Sequence, residues 1–118
     1  MTLEQCYEKL NGSYAEAKSR LMSDRLVEKF MLKFLTEPTM GQLRDAIKAE
    51  NHEETFRSVH TLKGVAANLS FTELYNSASD LTEQLRGNEE LADPQLVEKV
   101  EASYKKVIDT ITAYQNEM

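Results

Sequence analysis

The chain has 118 residues, a net charge of −6, and 41% apolar against 29% charged residues, which is enough apolar material for one buried core beneath a well-solvated surface. That acidic balance, with no cluster of Lys and Arg, excludes the electrostatic footprint of a nucleic-acid or anionic-lipid binder. No apolar run approaches the roughly 20 residues that cross a bilayer and no secretory-type segment opens the chain, so the expected location is the cytoplasm.

Only four glycines and two prolines punctuate the sequence, and no segment alternates apolar with polar residues as a half-buried strand does, so the pattern predicts an all-α protein. Residues 3 to 22 predict one or two short helices, with Leu3, Tyr7 and Leu10 separated from Tyr14, Ala17 and Leu21 by a break at Asn11-Gly12. Cys6 has no second thiol for a disulfide or a shared metal and reads as a small apolar filler. The next stripe comprises Leu26, Val27, Phe30, Met31, Phe34 and Leu35, and Pro38 ends it; Met40, Leu43, Ala46 and Ile47 form a shorter one. Val59, Leu62, Ala66 and Leu69 line the central helix, and Phe71, Leu74, Tyr75, Ala78, Leu81 and Leu85 the one after it, with Gly87 as its stop. Leu96, Val97, Val100, Tyr104, Val107, Ile108 and Ile111 give a long final helix a continuous buried seam.

Helix starts carry an oxygen-bearing cap with an acid or amide three residues on: Thr2 with Gln5, Thr39 with Gln42, Asn51 with Glu54 and Ser70 with Glu73. Asp93 followed by Pro94 marks the last start. Short connections at 36–39, 50–52, 70–71 and 86–93 make consecutive helices antiparallel neighbours. The expected architecture is an antiparallel up-and-down four-helix bundle with an additional short N-terminal helix or helices, residues 1–118 forming one domain.

Within this pattern, His60-Thr61-Leu62-Lys63-Gly64 stands out. Helical periodicity turns Val59, Leu62, Ala66 and Leu69 inward and His60 outward. Glu53, Arg57, Gly64 and Ala67 share or adjoin the outward stripe, while Lys63 lies at its edge and can stretch its stem over apolar surface. An exposed histidine on a helix is ordinarily no more than a polar surface residue. Here three residues answer separate demands of phosphoryl chemistry. A neutral imidazole is nucleophilic near neutral pH, an ammonium one turn away stabilises phosphate oxygens, and a glycine, which costs about 1 kcal/mol in a helix, opens a flank to a partner. The charges of the stripe are mixed, Arg57 adding a second one favourable to a phosphate and Glu53 an unfavourable one. His52, in the first turn of the same helix, lacks such company and reads as solvated surface.

The stretch His60-Thr61-Leu62-Lys63-Gly64-Val65-Ala66-Ala67-Asn68-Leu69, followed by Leu74, Ala78, Leu81 and Leu85, resembles the active-site helix pair of the histidine-containing phosphotransfer (HPt) domains of bacterial two-component signalling. The resemblance is high over residues 52–86 and architectural elsewhere. It implies a phosphorelay intermediate: His60 takes a phosphoryl group from an aspartyl phosphate on one receiver domain and passes it to an aspartate on another, Lys63 assists electrostatically, Gly64 leaves room, and Arg57 and Ala67 meet the partner. Its partners would be receiver domains of response regulators and hybrid histidine kinases, and any Mg²⁺ would belong to the receiver. The sequence departs from the family pattern at Ser70, where a glycine commonly ends the active-site helix, and at Thr82, where an acidic residue often follows the leucine.

No glycine-rich phosphate loop, kinase catalytic-loop pattern, Cys/His cluster or EF-hand loop occurs, so neither ATP-dependent kinase activity nor an intrinsic cofactor or metal site is expected. Two other readings use the same residues: a non-phosphorylated helical adaptor binding receiver-like partners, and the phosphate-accepting module of a chemotaxis-type kinase fed by an ATP-binding domain. A monomer is the simplest state for such a bundle.

Overall fold

Helix boundaries in the computed structural model, which describes residues 1–118, fall where local capping chemistry and chain turns put them. Seven α-helices and one 3₁₀ turn follow in order, with no strand: α1 Leu3–Lys9, α2 Tyr14–Leu21, α3 Asp24–Lys33, the turn Phe34–Thr36, α4 Thr39–Lys48, α5 His52–Leu69, α6 Thr72–Leu85 and α7 Pro94–Asn116. Thr2 and Gln5 make the full reciprocal box, the Thr2 hydroxyl accepting from the Gln5 N–H at 3.0 Å and the Gln5 amide oxygen accepting from the Thr2 N–H at 2.8 Å. Asn51 accepts from the Glu54 N–H at 3.1 Å and Asp93 from the Gln95 N–H at 2.9 Å, with Pro94 in the first turn. Ser13 and Ser23 also act as N-caps, for α2 and α3.

At Asn51 only half of the expected box forms, its N–H donating to the Ala46 carbonyl rather than to Glu54, and two further expected boxes do not form at all. Thr39 is the first residue of α4 rather than its cap, and both its N–H and its hydroxyl donate to the Glu37 carboxylate. Ser70 closes α5 instead of opening α6: its backbone is left-handed, at φ 58° and ψ 39°, and α6 begins after Phe71 without a side-chain cap. The turn between the two helices needs a left-handed residue, and that requirement overrides the capping motif.

α5 packs between α4 and α6, and α6 between α5 and α7, so the short turns stack these four helices as an antiparallel bundle. Arg44 of α4 reaches across to α7, forming a fork on the Glu101 carboxylate at 2.7–3.1 Å and lying 5.3 Å from the Tyr104 ring centroid. Both partners of this ion pair are well exposed, so it contributes at most about 1 kcal/mol. Val59, Leu62, Ala66, Leu74, Ala78, Leu81, Val100, Val107 and Ile111 are fully buried between the helices. In the stripe before Pro38, Val27, Met31 and Phe34 are buried, whereas Leu26, Phe30 and Leu35 stay half-exposed. The seam of α7 is likewise mixed, with Leu96, Val97, Tyr104 and Ile108 half-buried.

The N-terminal helices are fastened to one end of this bundle. Phe71, just past α5, stacks near-perpendicular on Phe34 with ring centroids 5.2 Å apart and lies 5.7 Å from the Tyr7 ring of α1. Gly12 is required here because a Cβ at that position would stand 2.6 Å from the Ser70 carbonyl oxygen. Cys6 is sealed beside the Met31 sulfur at 3.6 Å, and burial pushes its thiol up to about 11. No buried side-chain nitrogen or oxygen lacks a hydrogen-bond partner. Thr82 is among them: it is fully buried and donates to the Ala78 carbonyl at 2.7 Å, so at this departure from the family pattern a hydroxyl sits where a carboxylate would be costly.

Candidate functional site

α5 is an 18-residue helix, about 27 Å long, and His60 lies at its middle. Its inward face is held by Thr55, Ser58, Val59, Leu62, Ala66 and Leu69, so the helix cannot rotate without exposing that apolar stripe, and His60 is fixed outward and exposed. The ring lies beside that of Phe56, one turn earlier on the same helix, with centroids 6.0 Å apart and planes at 36°. Arg86, just past the end of α6, places its guanidinium 5.5 Å from the Phe56 ring.

Lys63 stands one turn beyond His60 and is half-buried. Its ammonium rests 5.8 Å above the Tyr75 ring of α6. A cation over a half-buried aromatic face is held by about 1 kcal/mol, less than a charge-assisted bond to a phosphoryl oxygen would supply, so the ammonium can leave that ring for a stronger anion. Glu83 shows how its field spreads: the Glu83 carboxyl is held below its ordinary value chiefly by its hydrogen bonds to Arg86, with the charges of Arg86 and Lys63 adding to the effect. Gly64 is exposed, and a Cβ built on it meets nothing within 4 Å. No contact inside the molecule therefore requires a glycine there.

Arg57 is exposed and paired with Glu54 on the same helix, so its charge is shared with a carboxylate. Ala67 is half-buried on the stripe two turns past His60, and its carbonyl is part of the helix end described next. His52 departs from its reading as solvated surface: it is half-buried, with Nδ1 2.7 Å from the Glu90 carbonyl oxygen, and so ties α5 to the α6–α7 connection.

The C-terminal end of α5 carries residues that sequence reasoning missed. The last carbonyls of a helix lack intrahelical partners, and here each finds one. The Phe71 N–H donates to Ala66 at 2.9 Å. Arg20 of α2 donates through one amino group to the Ala67 carbonyl at 2.8 Å and the Asn68 carbonyl at 3.1 Å, and the Tyr7 hydroxyl donates to Leu69 at 2.8 Å. The same Arg20 group donates to the Ser70 hydroxyl at 2.8 Å, while the Ser13 N–H donates to the Ser70 carbonyl at 2.9 Å. A guanidinium at this position also complements the negative end of the helix dipole. Nothing local in the sequence announces Arg20, because its partners lie about fifty residues away. Ser13 was more legible, since Glu16 three residues on completes a capping-box pattern.

The model of the Hpt domain family matches residues 31–116 of the chain. The chain belongs to the Hpt domain family. No curated protein and no solved structure matches it. Hpt domains are histidine-containing phosphotransfer modules of two-component phosphorelays rather than kinases, and they work with receiver domains. The match leaves α1, α2 and most of α3 outside, which is the segment that supplies Arg20, Tyr7 and Ser13 to the end of α5. No helix of this Hpt domain is long and apolar enough to cross a membrane.

Proposed function

We propose that His60 is the phosphoryl carrier of this Hpt domain, receiving the group from a receiver-domain aspartyl phosphate and returning it to the aspartate of another receiver. The observation that carries the reading is the contrast between the two histidines: the His60 ring is exposed at mid-helix with a displaceable ammonium one turn away, whereas a ring nitrogen of His52 is tied to a loop carbonyl.

In the forward step the lone pair of the neutral imidazole nitrogen attacks phosphorus in line, the bond from phosphorus to the aspartyl oxygen breaks, and the carboxylate leaves on the donor. Lys63 moves from Tyr75 toward the phosphoryl oxygens and offsets their charge. Arg57 contributes once its hold on Glu54 loosens. Gly64 and Ala67 keep the flank low, so the receiver can bring its aspartate, with Mg²⁺ in its own acidic pocket, up to the ring. The same chemistry reversed loads the second receiver. We place the protein in the cytoplasm as a monomeric unit spanning residues 1–118, without kinase activity or a cofactor of its own.

The test mixes the purified protein with a panel of isolated, phosphorylated receiver domains. Label should appear as acid-labile, base-stable phosphate, be abolished by His60→Gln and persist in His52→Gln. Absence of transfer from every receiver, or transfer surviving His60→Gln, overturns the assignment. Label arriving only from an ATP-binding kinase domain supplied in trans would instead support a chemotaxis-type phosphate-accepting module.

A further inference from the structure

We propose that the groove between α2, α5 and α6 is the receiver-selecting half of the docking surface, and that α2, outside the Hpt family match, supplies side chains that discriminate among receivers. The inference rests on His60 being the phosphoryl carrier and specifies what the partner touches beside it. The groove has a volume of about 310 Å³ and is lined by Glu16 and Arg20 of α2, Ala67 and Ser70 at the end of α5, and Tyr75 and Asn76 of α6.

Three observations place the partner there. The first is relief. From His60 toward the C-terminal end of α5 the outward stripe runs over Gly64 and Ala67, a path without bulk that descends into the groove. In the opposite direction the stripe meets the large side chains of Phe56, Arg57 and Glu53, so a body seated over His60 finds room on the groove side. The second is reach: Ala67 lies about 10 Å along the axis from His60. A specific interface covers about 800 Å² per partner, a disc of about 16 Å radius, so a receiver centred on His60 extends over the groove. The third is continuity. Tyr75 lines the groove and also carries the Lys63 ammonium at 5.8 Å, so whatever fills the groove touches the ring that holds the cation of the phosphate site.

The polar rim makes this contact selective. Glu16 and Asn76 are exposed and make no side-chain hydrogen bond or ion pair within the molecule, which leaves both free to meet a complementary receiver surface. Arg20 has one amino group committed to the end of α5 and is itself an exposed lining residue of the groove. Charge reversal at such a rim changes partner affinity without touching the phosphoryl centre.

The experiment uses the full chain with the double substitution Glu16→Arg and Asn76→Arg, both at exposed helix positions, and Glu98→Arg on the exposed face of α7 as the control. The probe is the receiver that transfers fastest to the wild-type protein in the panel above. Two readouts are taken: saturation kinetics with that phosphorylated receiver, and labelling of His60 by phosphoramidate, a small donor that loses ammonia and needs no docking. For the double variant the half-saturating receiver concentration should rise about tenfold or more while the maximal rate and the phosphoramidate rate stay within about twofold, with Glu98→Arg unchanged in all three. A half-saturating concentration within about twofold of wild type overturns the proposal. So does a wild-type dimer that the double variant dissociates while receiver kinetics stay the same, since the groove's occupant is then a second copy. If neither phosphoramidate nor any receiver labels wild-type His60, the failure lies in the assignment of His60 itself.

Discussion

Replacing Arg20 by alanine tests whether the N-terminal helices hold the end of α5. The substitution removes the donor to two helix carbonyls and to the Ser70 hydroxyl, at 2.8, 3.1 and 2.8 Å. A hydrogen bond to a charged group is worth about 1.5–3 kcal/mol, but one amino group serves three acceptors here and Arg20 is exposed, so water recovers part of the loss. Adding the lost dipole interaction of a few tenths, the expected cost is about 1.5 kcal/mol, a fall in Tm of about 6 °C for a chain this long. Ser70 sharpens the test, because its left-handed backbone costs a non-glycine residue about 1 kcal/mol. Ser70→Gly relieves that strain and loses the hydroxyl's bond to Arg20, also about 1 kcal/mol, so on its own it should be close to neutral. In the Arg20→Ala background the bond is already gone, and Ser70→Gly should then stabilise by the full backbone gain of about 1 kcal/mol. Urea denaturation followed by helical circular dichroism gives all four corners of the cycle. A cost for Arg20→Ala below about 0.5 kcal/mol, or the same effect of Ser70→Gly in both backgrounds, refutes the reasoning.

Gly64→Ala should raise stability by about 1 kcal/mol, since a Cβ there meets nothing, while Gly64→Leu should weaken receiver docking; a destabilised Gly64→Ala protein would show an internal reason for the glycine. Gly12→Ala should cost about 1–3 kcal/mol through collision with the Ser70 carbonyl and the Leu10 and Tyr7 side chains, and an unchanged urea midpoint would contradict the close approach. Glu73 is held below its ordinary 4.5 chiefly by its hydrogen bond to Lys106, 2.9 Å away, and also by one to Asn11. Its contribution is therefore present above that ordinary value and is lost as pH falls through the lower folded value, so Glu73→Gln should flatten stability against pH below 4.5; an unaltered acid limb would remove Glu73 from the account. The Cys6 thiol, pushed up to about 11 by burial, should react with a thiol reagent at mildly alkaline pH only as fast as the protein opens, and prompt native-state labelling would disprove its sealing.

Much of the architecture was legible because it is written locally. The apolar spacing at Val59, Leu62, Ala66 and Leu69 settles which way α5 faces, and with it the outward position of His60. Short turns then make neighbours of consecutive helices. Local writing failed where two local rules competed. Thr39 and Ser70 both fit a capping box, yet the Glu37 carboxylate bonds both donors of Thr39, and the α5–α6 turn needed a left-handed residue at Ser70. Contacts between distant segments were not legible at all. The pairing of Arg20 with the end of α5, the resting place of Lys63 over Tyr75 and the bond from His52 to the Glu90 carbonyl join positions from 12 to 48 residues apart, and no periodicity encodes them. What the sequence reported about Lys63 was its register on the helix; which ring shelters it depends on how α6 packs.

The exposed half and the anchored half of α5 make sense together. The proposed carrier histidine would have to meet at least two partners across an open face, and Gly64 stands on that face in mid-helix at a cost of about 1 kcal/mol with no contact in return. A helix weakened on its working face keeps its geometry only if it is held elsewhere. The inward stripe supplies lateral hold, and Arg20, Tyr7 and Ser13 secure its end from outside the family-matched region. Because Arg20 also borders the groove beside Ala67, the residue that steadies the helix proposed to carry the phosphoryl group lies where the proposed receiver would press. A partner docked on α2 as proposed would bear on an element bonded directly to α5, so that the proposed selection of the partner and presentation of the imidazole would share one structural support.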